Sequence, residues 1–351
     1  MTALERISLI ATASQRFPEL GAFANASALA DLLVSELGSQ VALDECINRG
    51  RSGAFSRAIA PKRILHVIAG NTAQAGLQSL IRGLILGSHN LCKLPSSGLP
   101  RLEEWISGLP LQLAERIQTS RNLPGDWLET ADAVIVFGTD ETVELLRQKT
   151  SANQIFAGYG NKWSGAIVFE DPAFESVPLL ARDVCLYDQM GCLSPQIVFV
   201  HDCVDPRLYA AKLNAAIESE PRDQTTANLS LEDRQTIRKW HDMYRWKATV
   251  HDSVAFWLHV AFDGTPAAPQ LTCLHRHVLI LPFSRSPEIG SLATSLSTLG
   301  LWPFTSENIH LCTSLGASRL CPIGKMQFPL PTWHQDGFPA LGRLVRWMDA
   351  G

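Results

Sequence analysis

Arg182-Asp-Val-Cys-Leu-Tyr-Asp-Gln-Met-Gly-Cys192-Leu-Ser-Pro-Gln-Ile-Val-Phe-Val200 is the stretch around which the chain is organised. It reads as an amphipathic helix end or turn, a Met190-Gly191 pivot, a cysteine, and a β-branched strand from Gln196 to Val200. Glycine before cysteine lets the backbone bend tightly and leaves the sulfur approachable. A thiol so placed is a candidate nucleophile wherever its surroundings favour thiolate. The other reading is a buried core cysteine, since unpaired cysteines are among the most buried residues.

Working outward, the stretch sits among alternating strands and helices. Upstream, Ile64–Ile68 reads as a buried strand, Ala69-Gly-Asn71-Thr72 as a turn, and Ala75–Leu86 as a helix ending at Gly87. Asn90–Leu94 follows as a short strand. A second unit repeats the pattern, with strand Ala133–Phe137, turn Gly138-Thr139-Asp140 and helix Glu141–Gln148. Gly158-Tyr-Gly-Asn-Lys162 reads as a glycine-rich turn before strand Ala166–Phe169. Such alternation predicts an α/β fold with a mostly parallel sheet, whose ligand crevice lies at the strands' carboxyl ends. Neither turn matches G-x-G-x-x-G, so the usual dinucleotide fingerprint is absent.

The flanks are read in the same way. Residues 1–60 look mostly helical, with Ala28–Leu37 capped by Ser27 and Gly38 and a loop at Arg49–Gly53. After Cys192 come helix Pro206–Ile217, a polar loop Pro221–Leu231, strands Ser253–Phe262 and His277–Leu281, helix Ile289–Leu299, and a helical tail Ala340–Met348. No internal repeat is found.

Composition narrows the function classes. The chain has 351 residues, 46% hydrophobic and 18% charged, with a net charge of −4. That supports a large core and excludes extensive disorder. With no basic block, neither nucleic acid nor an anionic membrane is expected as the main partner. No apolar run is long enough to span a bilayer. Eight scattered cysteines and no signal-peptide core point to reduced thiols and a cytoplasmic location. Cys273, His275 and His277 alternate along one stretch, a poor geometry for one zinc ion, and no metal site is expected. His66 and His259 read as packed strand residues.

Five pieces in order carry a family resemblance: Ala69-Gly-Asn71-Thr; Cys92-Lys93-Leu-Pro95; Phe137-Gly138-Thr139; Asp188-Gln-Met-Gly-Cys192-Leu-Ser-Pro; and Arg319-Leu-Cys-Pro-Ile-Gly-Lys-Met-Gln with Trp333-His-Gln-Asp-Gly337. Together they resemble the aldehyde dehydrogenase superfamily, and within it the acyl-CoA reductases of the bacterial luminescence fatty acid reductase. The resemblance implies an aldehyde-dehydrogenase-like fold, with a Rossmann-like cofactor domain (1–165), an α/β cysteine domain (166–312) and a return segment (313–351) packing near the active site or the cofactor domain. It implies that Cys192 takes the acyl group and that Asn71 and the Cys192 amide stabilise the oxyanion. Lys93 would lie at the adenosine ribose, and Gly138 and Thr139 would open the helix facing the pyrophosphate. Read from the residues alone, Asn71 is as well explained as a turn residue, Gly138-Thr139 as an ordinary strand-to-helix turn, and His334 as a turn residue rather than a proton donor.

Departures from the family sharpen the expectation. Aldehyde-oxidising members carry a glutamate that activates water; here its place falls on Gly158, and no Asp or Glu lies between Ala152 and Val168. Without that base, hydrolysis of a thioester slows by about 10²–10⁴-fold. A surviving thioester favours reduction over oxidation to free acid. Three residues after Lys93, where NAD-preferring members often carry glutamate, stands Ser96, which can hydrogen-bond a 2′-phosphate; NADPH is expected, with NADH the alternative. Val143 replaces a second glycine in the helix after Gly138-Thr139. The expected reaction is NADPH-dependent reduction of an acyl thioester to an aldehyde. The donor would be acyl-CoA, an acyl-carrier protein or an acyl-enzyme, with an acyl-transferring or synthetase partner and a homo-oligomer both compatible. The alternatives are a CoA-acylating aldehyde dehydrogenase working oxidatively and a non-catalytic subunit of the same fold.

Overall fold

The computed structural model describes residues 1–48, 54–70, 73–221, 229–247, 249–250, 260–263 and 269–351. Asn71, the expected loop at Arg49–Gly53, His259, most of the expected strand Ser253–Phe262 and most of the polar loop Pro221–Leu231 lie outside the described residues. The chain divides into two compact units, Met1–Asn161 with Phe328–Gly351, and Lys162–Gln327. These breaks differ from the sequence-based division at 165 and 312.

The first unit opens with helices Ala3–Ser14 and Ala26–Leu37. The second is capped by Asn25 rather than by Ser27: the Asn25 side chain accepts from Ala28 N–H at 3.1 Å. Gly38 ends it in the left-handed region at φ 79°, which costs glycine little. Strands β1 (Ile47–Asn48) and β2 (Phe55–Ile59) follow, so this region is less helical than expected. The central sheet comprises β3 (Arg63–Val67), β4 (His89–Lys93), β5 (Ile117–Ser120), β6 (Ala133–Phe137) and β7 (Ile155–Tyr159). All are parallel, in the order β5-β4-β3-β6-β7. Gly158 is thus a strand residue, and only residues 160–162 form the turn expected over 158–162.

Alternation along the strands builds two cores. Ile64, Cys92, Ile135 and Ala157 face Leu77, Leu80, Ile81 and Leu84 of helix Ala73–Leu86. Leu65, Val67, Val134 and Val136 face Trp127 and Leu146. His66, fully buried, accounts for its own polarity: Nδ1 meets Ser79 Oγ at 2.7 Å and Nε2 meets Asn90 Oδ1 at 3.0 Å. Burial pushes its pKa down to about 4, so the ring stays neutral at pH 7.

The second unit holds β8 (Trp163–Val168), β9 (Pro195–His201), β10 (Thr249–Val250), β11 (Val260–Phe262), β12 (Val278–Phe283), β13 (Leu296–Trp302) and β14 (Arg319–Pro322). Their order is β10-β11-β12-β9-β8-β13-β14, parallel except for β10. Helices Ser176–Cys185 and Pro206–Ser219 cover one face through Val198, Val200 and Ile280; Ile237, Trp240 and Tyr244 cover the other through Ile197, Phe199 and Leu299.

Two expected helices are corrected. The expected helix Ile289–Leu299 is a short 3₁₀ turn, Gly290–Ser295, followed by β13. Between β8 and β14 this strand is buried on both faces, so it lacks the alternation that marks a half-buried strand. The expected tail helix Ala340–Met348 is a turn followed by β15 (Arg346–Ala350), which pairs antiparallel with β2. The Glu36 carboxylate accepts from the backbone N–H groups of Ala340, Leu341 and Gly342. A distant side chain thus satisfies three donors that would lack partners at the start of a helix as well, and pairing with β2 makes the following residues a strand. Among the described residues, no single helix is long and apolar enough to cross a membrane.

Candidate active site

In the second unit the chain leaves helix Ser176–Cys185 and enters three successive left-handed residues, Tyr187, Asp188 and Gln189 (φ 56°, 47° and 66°). Each costs a non-glycine residue about 1–2 kcal/mol, so tertiary bonds must hold them. A second left-handed triplet, Leu274, His275 and Arg276 (φ 62°, 53° and 67°), supplies those bonds. Asp188 accepts from Arg276 Nε at 2.5 Å and from Nη2. Arg276 also donates to the carbonyls of Glu220 and Pro221 at 3.1 and 2.8 Å. Gln189, fully buried, donates through Nε2 to Pro195 O and His277 O, both at 2.7 Å, and accepts His277 N–H at 2.8 Å. A buried ion pair adds little net stability, but breaking one costs about 3–5 kcal/mol; its use here is to select one backbone path.

That path leads to a β-turn. Ser194 N–H donates to Gly191 O at 3.0 Å, placing Cys192 at the turn's second position. The Cys192 carbonyl accepts from Ser164 Oγ of β8 at 2.6 Å, and that Ser164 hydroxyl in turn accepts from Thr298 N–H of β13 at 3.2 Å. Two neighbouring strands therefore orient the turn, and Cys192 itself is exposed. Nothing in the sequence marks Ser164 for this role, because the contact joins a turn to a strand far upstream.

The other cysteines differ. Cys92, Cys185, Cys273, Cys312 and Cys321 are buried, and no disulfide joins any of the eight. Burial pushes Cys92, Cys273 and Cys321 up to about 12 and Cys312 up to about 11, so these four remain thiols at neutral pH. Cys46 and Cys203 are exposed, and Cys203 Sγ donates to Phe169 O at 3.1 Å. The possible metal-ligating run is dispersed: His275 Nε2 faces Asp233 at 3.4 Å, whereas buried His277 meets His241 Nε2 at 2.9 Å.

In the first unit the strand order reverses between β3 and β6, which makes the carboxyl edge there the natural ligand crevice. Four expected cofactor residues lie along that edge. Lys93, half-buried, ends β4, and exposed Ser96 follows in the next turn. Gly70, after β3, abuts this turn closely enough that a Cβ there would sit 3.3 Å from Pro95. Arg121, just beyond β5, donates to Ser96 O at 3.3 Å and pairs with Glu103 at 2.7 Å. Sequence reading missed Arg121; its signal is a basic residue at a strand's carboxyl end.

Gly138 and Thr139 follow β6. Thr139 caps helix Asp140–Lys149, its hydroxyl accepting Thr142 N–H at 3.3 Å. Asp140 Oδ1 accepts Asn161 N–H at 2.8 Å. The Thr139 hydroxyl and a backbone N–H hold the Glu141 carboxyl below its usual range. Two carboxylates in the first turn already answer the helix dipole, which opposes a diphosphate at this end.

Gly158, where the resemblance places the family's glutamate, lies in β7 against side chains. A Cβ on Gly158 would lie 2.4 Å from Val143 Cγ1. Val143, the residue that departs from the family glycine, fills the space beside Gly158.

Residues 1–347 match the family described as acyl-CoA reductase (LuxC). The long-chain acyl-protein thioester reductase of Photobacterium phosphoreum is 26% identical over 350 residues, covering 92% of this chain and 69% of that protein. Long-chain acyl-protein thioester reductase 2 of Photobacterium leiognathi is 25% identical over 343 residues, covering 92% and 70%. Among solved structures, an oxidoreductase from Marinobacter aquaeolei superposes with a TM-score of 0.74 at 11% identity, covering 99% of this chain and 85% of that one. A putative aldehyde dehydrogenase from Burkholderia cenocepacia gives 0.71 at 17% identity, covering 100% and 87%. The chain belongs to the acyl-CoA reductase (LuxC) family, aldehyde-forming acyl-thioester reductases, and has the aldehyde dehydrogenase fold.

Proposed function

We propose that the chain reduces an acyl thioester to an aldehyde through an S-acyl intermediate on Cys192, with NADPH as the preferred reductant. The observation that carries the reading is the exposed Cys192 thiol on a turn braced by Ser164 and by buried Gln189. Cys192 attacks the thioester carbonyl as thiolate. The tetrahedral adduct collapses, the donor's C–S bond breaks so that the donor leaves as a thiolate and takes a proton from solvent, and the acyl group stays on Sγ. Asn71 and the Cys192 amide stabilise the oxyanion. A nicotinamide cofactor, when bound, would supply the hydride that reduces the acyl group. When the C–S bond then breaks, the aldehyde departs and Cys192 is again a thiolate. The likeness to acyl-protein thioester reductases supports an acyl group delivered on a protein; acyl-CoA has the same reacting bond.

The S-acyl enzyme is expected to persist because glycine, at the position that the family resemblance assigns to the water-activating glutamate, supplies no base. Incubated with acyl-CoA or an acyl-protein donor and no nicotinamide, the enzyme should gain the mass of one acyl group, mapped to Cys192 by peptide analysis. Adding NADPH should discharge it as aldehyde. Rapid release of free acid by the wild type would overturn the reading.

Lys93, Ser96 and Arg121 would hold the adenosine end of the cofactor. Ser96 offers a hydroxyl, and Arg121 a cation beside it, to a 2′-phosphate. Ser96→Glu should reduce the NADPH-over-NADH affinity ratio by about tenfold or more, because it brings a carboxylate against that phosphate. Titration of both nucleotides by protein fluorescence checks this. An NADH preference in the wild type, unmoved by the substitution, would refute it.

A further inference from the structure

Arg319-Leu-Cys-Pro-Ile-Gly-Lys-Met-Gln327 has no part in the mechanism above, yet its side chains converge on the Cys192 stretch within the second unit. β14 ends at Pro322, and Lys325 N–H closes a turn onto Pro322 O at 3.1 Å. Gly324 takes φ +88° there, and a Cβ would lie 3.1 Å from Leu179 Cβ. The Arg319 guanidinium folds back to donate to Met326 O at 2.7 Å and Lys325 O at 2.8 Å. Asp183, 2% exposed, accepts Gly324 N–H at 2.5 Å and Met326 N–H at 3.3 Å. Burial pushes its carboxyl up to about 7, against the pull of these donors and Arg319.

The loop so braced delivers Gln327. Its Nε2 donates to Asp183 O and to Ser194 Oγ, both at 2.8 Å. A carbonyl can only accept, so the amide's NH₂ end faces Asp183, and both its hydrogens are directed. Gln327 and Ser194 are each 1% exposed, so no water replaces a lost donor cheaply. Ser194 closes the turn that carries Cys192. The amide therefore ties the helix before the left-handed triplet to Ser194, the last residue of the turn that carries Cys192.

We propose that Gln327 is a positioning residue for Cys192, acting through Ser194; this rests on the reading of Cys192 as the nucleophile. The Arg319–Gln327 motif thereby gains a role in the site, in which the arginine and Asp183 shape the loop and the terminal glutamine orients the turn. The tests are Gln327→Met, which keeps the volume but removes the donor, Ser194→Ala, and the double variant. Two quantities are read in the full chain: steady-state aldehyde formation and the rate of Cys192 alkylation by iodoacetamide, followed by peptide mass.

Gln327→Met should lower kcat by about ten- to a hundredfold, as expected when a reacting group is displaced by about 1 Å. KM for the acyl donor should stay within about twofold, and Cys192 alkylation should slow while circular dichroism is unchanged. Ser194→Ala should do the same, and the double variant should be no worse than either single one. Wild-type kcat and alkylation rate in folded Gln327→Met, or additive losses in the double variant, would overturn the proposal. If Gln327→Met does not fold, Ser194→Ala decides it by the same two readings. Turnover that survives complete alkylation of Cys192 would instead refute the nucleophile reading, and the alkylation rates would still judge the positioning role.

Discussion

Cys192→Ala is expected to form aldehyde at least about 10⁴-fold more slowly than the wild type, the scale of loss when a covalent nucleophile is removed. The substitution is nearly neutral for folding. Cys192 is exposed, and its structural bond to Ser164 uses the backbone carbonyl, which alanine retains. Stability should change by no more than about 0.5 kcal/mol. Nicotinamide affinity should stay within about twofold, because the residues proposed to hold the cofactor, Lys93, Ser96 and Arg121, belong to the first unit and Cys192 is not among them. The measurement is aldehyde formation with trapping, alongside nucleotide titration and intact mass with acyl donor. Substantial turnover by the variant would remove Cys192 from the chemistry. Loss of nucleotide binding together with activity would show that it serves the fold instead.

Asn71→Ala is expected to lower kcat by about 10²–10³-fold, the usual consequence of deleting one oxyanion donor. KM for the acyl donor should hardly move, since that donor matters most where negative charge develops. In the sequence Asn71 comes directly after Gly70, and β3, which ends at Val67, lies beside the point where the strand order reverses. Steady-state kinetics combined with adduct formation separate the readings. A variant that still acylates Cys192 but discharges the acyl group slowly has lost transition-state stabilisation. A variant that unfolds at moderate temperature would identify Asn71 as a turn residue.

The alternating pattern made β3, β4 and β6 legible because each holds a short buried run between turn signals. Ala133–Phe137 is found where expected, and the helices after β3 and β6 start within two residues of their sequence-based bounds. Patterning failed where burial was complete or where a strand distant in sequence supplied the pairing. β13 is apolar on both faces, which leaves no periodicity to separate strand from helix. At 340–342 the Glu36 carboxylate takes three backbone donors from far away in sequence, and the segment continues into a strand on β2.

For the site, the sequence by itself determined the fold class, the family and the residue types available for chemistry: a glycine-preceded cysteine, an asparagine after the first parallel strand, and no carboxylate between Ala152 and Val168. These are legible because they depend on local order along the chain. Only the tertiary structure decided which cysteines are exposed, that Val143 occupies the space beside Gly158, and that Arg121 stands next to Ser96. It also decided how two left-handed triplets, neither containing glycine, are held: Asp188 to Arg276, and Gln189 to His277. Each of those facts depends on which side chains meet across long loops and on how much water they exclude, and neither quantity has a local signature.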